Sequence, residues 1–463
     1  MASPLEIARQ RQADPWLVGS SQFNCLLAQR QSELTPYQRG NLPRILLTEA
    51  DPVCFLAGFL AACGAECPVF LGNPNWQNDE WQQVLPLIRP NLIWGTLPVA
   101  TIASSQMLTS PDPTNPAQPG WIMIPTGGSS GQIKFAIHTW QTLQASVQAC
   151  QQYFQITQIN SVCVLPLYHV SGLMQWLRSF TTGGQLVIAP FSELSDRLAT
   201  GSALAGNLRL ENFWLSLVPT QLQRLLQIPA AIAELARFEL VLLGGAPAGA
   251  ELLAQARQHQ IRLSPTYGMT ETASQIATLK PEAFLAGMAG CGQVLPHAQL
   301  QLLNPEGATL GSNQIGQIQI QATSLALGYY PQVFTEPTFT TDDLGLIDDE
   351  GNLQLVGRSS QKIITGGENV FPSEVEAAIL ATGLVEDVCV IGLPDREWGE
   401  VVTAIYVPIG SAFASHLSSA LQDRLSKFKQ PKRWLAIAQI PRNPQGKVNY
   451  SQLKTWAASQ RAD

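Results

Sequence analysis

The chain has 463 residues, 45% of them hydrophobic and 13% charged, with 27 Lys and Arg against 34 Asp and Glu for a net charge of −7. That length allows one to three globular units, and the apolar fraction supports a large buried core, which excludes a disordered tail. An acidic chain without a Lys/Arg block is a poor electrostatic partner for nucleic acid or an anionic membrane.

The first ten residues carry Glu6 and Arg9 and lack the apolar core of a signal peptide. Residues 53–63 are the longest apolar run, too short for a bilayer and flanked by Asp51 and Glu66, so they predict a buried helix rather than membrane insertion. The eight cysteines form no Cys-x-x-Cys pair, and Cys63 and Cys67 have no histidine near them in sequence. They read as small buried thiols of a soluble, cytoplasmic protein. Residues 109–120 (TSPDPTNPAQPG) are a Pro-rich surface stretch. Helical patterns over 140–154 and 248–259 alternate with buried-strand runs at 161–167, 212–218 and 240–243. Such alternation predicts βαβ units, a mostly parallel sheet, and ligands at the carboxyl ends of its strands. After about residue 300 short alternating segments such as 314–321 (QIGQIQIQ) suggest an antiparallel or barrel-like unit. The polar segment 357–362 (GRSSQK) reads as a flexible hinge. Beyond it, helices at 372–380 and 416–428 with strands at 388–392 and 401–407 make a small α+β domain.

Residues 126–134 (TGGSSGQIK) directly follow the apolar run 121–124. Gly127, Gly128 and Gly131 let the backbone approach an anion, the hydroxyls of Thr126, Ser129 and Ser130 add donors, and Lys134 adds positive charge. The spacing is not that of a Walker A loop, and no GxGxxG fingerprint is present. Alone, a Gly/Ser-rich stretch is more often a plain turn. Residues 267–272 (YGMTET) follow the strand-like 261–265. A Thr-Glu pair there suits a hydroxyl on phosphate and a carboxylate on Mg²⁺. Thr270 or Thr272 equally suits the N-cap of a following helical turn.

Four further segments, 339–345 (FTTDDLG), 355–358 (LVGR), 366–376 (GGENVFPSEVE) and 441–447 (PRNPQGK), complete an ordered series. Together they resemble the signatures of the adenylate-forming superfamily, the acyl-CoA synthetases, firefly-type luciferases and nonribosomal adenylation domains. The resemblance spans essentially the whole chain. It implies an α/β protein with a large N-terminal domain of βαβ layers and a β-barrel subdomain over 1–357, a hinge at 358–361, and a small mobile α+β C-terminal domain over 362–463. It also implies ATP, Mg²⁺, coenzyme A and a small carboxylate as ligands, and leaves room for a homo-oligomer. By the same resemblance, the Thr126–Lys134 loop matches the β,γ-phosphate loop, and Gly244, Gly245, Ala246 and Tyr267 the adenine pocket. Thr270 matches the α-phosphate contact, Glu271 the Mg²⁺ ligand, Asp343 with Arg358 the ribose grip, and Lys447 the catalytic lysine of adenylation. His169, in PLYHVSG, matches a histidine beside the acyl pocket, where a packed neutral histidine is an equal reading. A carboxylate attacking the α-phosphate brings two anions together, so an ammonium and Mg²⁺ there stabilise the charge that accumulates.

Three positions depart from the superfamily pattern: Ile133 stands where Pro usually precedes the lysine, Asp342 where Gly usually precedes the ribose aspartate, and Gln361 where the hinge usually has Asp or Lys. Residues 267–279 (YGMTETASQIATL) and 364–372 (ITGGENVFP) resemble the 2-succinylbenzoate–CoA ligase family of menaquinone and phylloquinone biosynthesis. The expected reaction makes the acyl-CoA, AMP and pyrophosphate, with His169, Ser171, Ser274 and Gln275 as polar groups for the acyl ligand. Three alternatives are a CoA ligase for another aromatic or medium-chain carboxylate, an acyl-AMP ligase loading a carrier protein, and an inactive binding homologue.

Overall fold

A computed structural model describes residues 2–37, 42–97, 117–127, 132–201, 209–410, 413–422, 424–442 and 448–460. Among these, the strands assemble into four sheets. The first orders Gln332–Val333, Gly328–Tyr329, Ile133–His138, Ile122–Gly127, Val69–Leu71, Ile45–Thr48 and Leu92–Gly95. The second orders Gln293–Val294, Ser274–Thr278, Leu263–Met269, Leu240–Leu243, Phe213–Leu217, Asn160–Cys163 and Leu186–Ile188. Both are parallel in their interior and antiparallel at one end. Buried parallel strands read as near-continuous apolar runs, which is why Leu240–Leu243 was visible in the sequence.

The helices Pro52–Gly64, Trp140–Phe154 and Val170–Thr181 lie between the two sheets in one shared core. Phe59, Trp176 and Phe180 pack ring against ring there, all fully buried. The apolar run expected as a buried helix is the first of these three. Further helices cover the outer faces, Asn78–Ile88 on the first sheet and Phe191–Thr200, Pro219–Leu225 and Ala250–Gln258 on the second. The antiparallel unit expected after residue 300 is a four-stranded sheet, Ala298–Leu303, Gly316–Ala322, Phe339–Ile347 and Leu353–Arg358. It joins the second sheet through hydrogen bonds between Gly292 and Leu353 and between Cys291 and Leu353, both 2.8 Å.

The last sheet contains Ile363–Thr365, Glu368–Val370, Val385–Asp395 and Gly399–Pro408, with Arg433–Ala436 parallel to the last of these. Helices Pro372–Leu380 and Ala414–Leu421 cover one face and Tyr450–Ser459 the other. Several expected boundaries move. Gly357 ends up inside a strand, and the segment read as a flexible hinge is a strand end followed by the 3-10 turn Ser359–Gln361. The helix expected over 416–428 stops at Leu421. Most of the Pro-rich stretch lies outside the described residues. No described helix is long and apolar enough to cross a membrane.

Candidate active site

Two parallel strands run to their carboxyl ends side by side, Leu240–Leu243 against Leu263–Met269. Gly244 leaves the first beside Thr266, where a Cβ would approach the threonine methyl to 2.9 Å, and Gly245 turns with φ +84°. Gly244 thus stands at the level of Thr266, one residue before Tyr267 on the neighbouring strand. Tyr267 lies inside its strand, which continues to Met269 rather than ending near residue 265. Gly268 is required, because a Cβ there would meet the Ser274 carbonyl at 1.9 Å. The chain then makes the 3-10 turn Thr270–Thr272 and returns as the strand Ser274–Thr278. No helix follows to be capped. Instead the Thr272 hydroxyl accepts the Met269 N–H and donates to the Ser274 carbonyl, closing the turn on itself.

Glu271 is buried at 7% exposure on this turn, and Tyr329 donates its hydroxyl to Oε1 at 2.6 Å. Burial, with Glu271 adding, raises the Tyr329 hydroxyl above the ordinary phenol range, so it remains a donor. Lys134 lies with its ammonium 5.2 Å from the Tyr329 ring centroid. Thr126 and Lys134 pair across the hairpin Ile122–Gly127/Ile133–His138, and the Thr270–Thr272 turn packs against both of its strands. Gly128, Ser129, Ser130 and Gly131 lie outside the described residues. So Lys134, Tyr329, Thr270 and Glu271 converge. Tyr329 escaped sequence reading because an aromatic in a Gly-Tyr-Tyr run has the composition of a core strand.

Asp343 faces Arg358 in antiparallel register. Its Oδ2 accepts from the Tyr267 hydroxyl at 2.8 Å and its Oδ1 from Arg358 Nε at 3.0 Å. Burial, then the adjacent Asp343, hold the Tyr267 hydroxyl well above the phenol range, so it too stays protonated. The carboxylate is therefore oriented at both oxygens. Its neighbour Asp342 accepts from the backbone N–H of Ser360 at 3.0 Å and from its hydroxyl, tying the 3-10 turn to the strand.

Lys447 lies outside the described residues. Its flanks are placed: Arg442 and Val448 bridge each other, and Arg442 grips Asp387 at 2.8 and 3.0 Å. Tyr450, pushed up by burial first and by Glu376 next, also feels the opposing charges of Arg358 and Arg442.

His169 is the N-cap residue of Val170–Thr181, its ring 4.6 Å from that of Tyr168. Gly172 is needed beneath it, since a Cβ would strike the Pro166 carbonyl at 2.2 Å. Gln275 is turned inward at 2% exposure, accepting from the Cys150 thiol at 3.7 Å and donating to the Thr278 hydroxyl at 3.4 Å. Ser274 instead meets a residue absent from the sequence reading. Arg178, at 2% exposure, donates from Nη2 to the Ser274 hydroxyl at 3.2 Å, while its Nε has no partner. No carboxylate pairs with it among the described residues. Burial lowers its pKa from the ordinary guanidinium value. The sequence signal was weak: Arg178 is the one charged residue of a helix that also carries Ser171, Gln175, Ser179 and Thr181.

Residues 56–330 match the family of AMP-binding enzymes, and residues 374–447 match the AMP-binding enzyme C-terminal domain. The chain belongs to the AMP-binding enzyme family. Among its relatives is the 2-succinylbenzoate–CoA ligase of Enterococcus faecalis, 30% identical over 329 residues, covering 70% of this chain and 67% of that one. The ligase of the same name from Oceanobacillus iheyensis is 33% identical over 344 residues, covering 70% and 68%. The fold matches that of o-succinylbenzoate CoA synthetase from Bacillus subtilis in complex with the acyl-adenylate intermediate OSB-AMP, with TM-score 0.80, 23% identity and 97% coverage of both chains. In this AMP-binding enzyme the two clusters are Lys134–Tyr329–Glu271, around the turn that follows the strand Leu263–Met269, and Tyr267–Asp343–Arg358, between that strand and the four-stranded sheet.

Proposed function

We propose that this AMP-binding enzyme is an AMP-forming 2-succinylbenzoate–CoA ligase of menaquinone and phylloquinone biosynthesis, acting in the cytoplasm. Its first half-reaction joins the succinyl carboxylate to the α-phosphorus of ATP, and pyrophosphate leaves. In the second, the deprotonated thiol of coenzyme A attacks the acyl carbon and AMP leaves. Gly244, Gly245, Ala246 and Tyr267 take the adenine, and Asp343, oriented by Tyr267 and Arg358, accepts from the ribose hydroxyls. Thr126 and Lys134 hold the outer phosphates with Gly127, Gly128, Ser129, Ser130 and Gly131. Thr270 and Lys447 bind the α-phosphate oxygens, where negative charge collects. Glu271 fits Mg²⁺, which is commonly held by one or two carboxylates plus phosphate oxygens and supplies positive charge to the phosphates.

The observation that carries the substrate is Arg178. A buried guanidinium without a counter-charge is costly, by several kcal/mol, unless a ligand supplies the anion. 2-Succinylbenzoate keeps an aryl carboxylate after its succinyl carboxylate has reacted, and that spare anion suits Arg178 beside Ser274, with His169 and Ser171 at the start of the same helix. The experiment compares kcat/KM for 2-succinylbenzoate with benzoate, 4-phenylbutyrate and octanoate, in the parent and in Arg178→Met. The parent should favour 2-succinylbenzoate by roughly two to four orders of magnitude, and Arg178→Met should remove most of that preference. A monocarboxylate matching 2-succinylbenzoate in the parent overturns the substrate assignment.

A further inference from the structure

The Thr270–Ala273 backbone has an unusual set of partners. Each of its four carbonyls is held by a donor from elsewhere in the chain: the strand ending at His138, the helix Trp140–Phe154, and residues 324–326. His138 Nε2 lies 2.7 Å from the Thr270 carbonyl. The Ala326 N–H donates to the Glu271 carbonyl at 2.7 Å, the Ser324 hydroxyl to Thr272 at 2.8 Å, and the Ser146 hydroxyl to Ala273 at 2.7 Å. His138 is fully buried at the end of the strand Ile133–His138.

Hydrogen-bond complementarity assigns its tautomer. A carbonyl oxygen only accepts, so the ring proton is on Nε2. Nδ1 is then an acceptor, and the Thr142 hydroxyl at 3.0 Å is its donor. That hydroxyl also lies 3.0 Å from the Thr139 carbonyl, but the Leu143 N–H already satisfies the carbonyl at 3.1 Å. The Thr142 oxygen in turn accepts the Thr139 N–H at 3.0 Å. A continuous chain therefore runs from the N-terminus of helix Trp140–Phe154 through His138 to Thr270.

The strand gives this chain its purpose. Lys134, Ala136 and His138 alternate onto one face, and Tyr329 pairs with Ala136 on that same face. Tyr329 reaches back to the Glu271 carboxylate. One strand thus spaces Lys134 from the turn at two points, through Tyr329 to the Glu271 side chain and through His138 to the Thr270 backbone.

We propose that His138, as its Nε2–H tautomer, is the positioning residue that sets Thr270 and Glu271 relative to Lys134 for binding the phosphates of ATP with Mg²⁺. This rests on the reading of Glu271 as the metal carboxylate, so the test includes Glu271→Gln.

The measurement is calorimetric affinity of the full chain for ATP, with and without Mg²⁺ and in the absence of any carboxylate substrate, so that nothing turns over. His138→Phe fills the space but removes the ring N–H, leaving the Thr270 carbonyl only the Ala273 N–H at 3.1 Å. His138→Gln restores an amide N–H. Residues behind a metal ligand typically contribute 10–100-fold to metal affinity, so His138→Phe should lose about tenfold or more of the Mg²⁺-dependent gain in ATP affinity. His138→Gln should recover part of it, and ATP affinity without Mg²⁺ should stay within about threefold of the parent by the same reasoning. Loss of ATP affinity to the same extent with and without Mg²⁺ would mark a merely structural role and overturn the proposal. So would full retention of the gain in both variants while Glu271→Gln loses it. If Glu271→Gln itself keeps the gain, the reading of Glu271 fails and the proposal with it. Should His138→Phe not fold, His138→Gln against Glu271→Gln still decides: a Mg²⁺-dependent gain equal to the parent's, with a weakened Thr270 contact in the amide NMR or exchange of Thr270, overturns it.

Discussion

The Thr270–Ala273 turn and the Asp342–Arg442 side of the site are built on opposite principles. In the turn, four carbonyls are held by donors from three separate segments, and Glu271 is 7% exposed. Buried hydrogen bonds of this kind are expensive to break, since each orphaned group costs about 1–3 kcal/mol. Across the site, Asp342 holds Ser360 of the linker, and within the C-terminal unit Arg442 pairs with Asp387, all part-exposed contacts. Exposed charged contacts are worth about 0–1 kcal/mol each. The contrast is between a turn fixed by buried hydrogen bonds and a linker held by exposed ones, and we propose that the second lets the C-terminal unit change its orientation between half-reactions. Preorganisation belongs where charge develops, and low cost belongs where something has to move.

Variants that should break the comparison follow from each side. Lys447→Ala should cost the most, with acyl-adenylate formation falling by at least about 10²–10³-fold, as for other preorganised charge-stabilising groups. Thioester formation from supplied acyl-adenylate should stay largely intact, and equal loss of both half-reactions would argue that the C-terminal unit keeps one orientation. Gln361→Pro should come next. It fixes φ at the turn Ser359–Gln361 and should preserve one half-reaction while suppressing the other, measured separately by pyrophosphate exchange and by CoA consumption. Normal turnover in that variant would move the pivot elsewhere.

Glu376 sharpens the contrast through pH. It lies near Arg442, Asp387 and Tyr450, accepts the Val390 N–H at 2.8 Å, and burial pushes its carboxyl up to about 7 against the opposing Arg442 charge. Because the folded value lies above the ordinary 4.5, the unfolded chain gives up its proton first as pH rises. Stability therefore falls between about pH 4.5 and 7 and is flat above that window. Glu376→Gln should remove this slope, gaining on the order of 2 kcal/mol at pH 8 relative to pH 5 in urea midpoints, provided the Val390 bond survives. A slope unchanged in the variant would show that the carboxyl is not the titrating group. The smallest effect is expected from Ser360→Ala, which deletes one of two bonds to Asp342. Between about two- and fivefold in the ratio of the two half-reactions is the scale of one exposed hydrogen bond to a charged group. A change above that would mean the linker is held more firmly than its exposure implies.

The sequence by itself determined the layered α/β architecture, because buried parallel strands are continuous apolar runs and amphipathic helices repeat at 3.6 residues. It also determined the ordered motifs around Lys134, Glu271, Asp343 and Arg358, since glycines, hydroxyls and charges at strand ends leave a local trace. Element ends were less legible: Tyr267 proved to lie inside its strand, and the 416–428 helix was cut at Leu421. Only the tertiary structure decided which side chains complete the site. Tyr329 on Glu271, His138 on Thr270 and Arg178 on Ser274 join residues 58, 132 and 96 positions apart. Nothing local distinguishes a histidine that ends a core strand or an arginine on an apolar helix. Their meaning comes from burial, which leaves each polar atom needing a partner that only folding brings within reach.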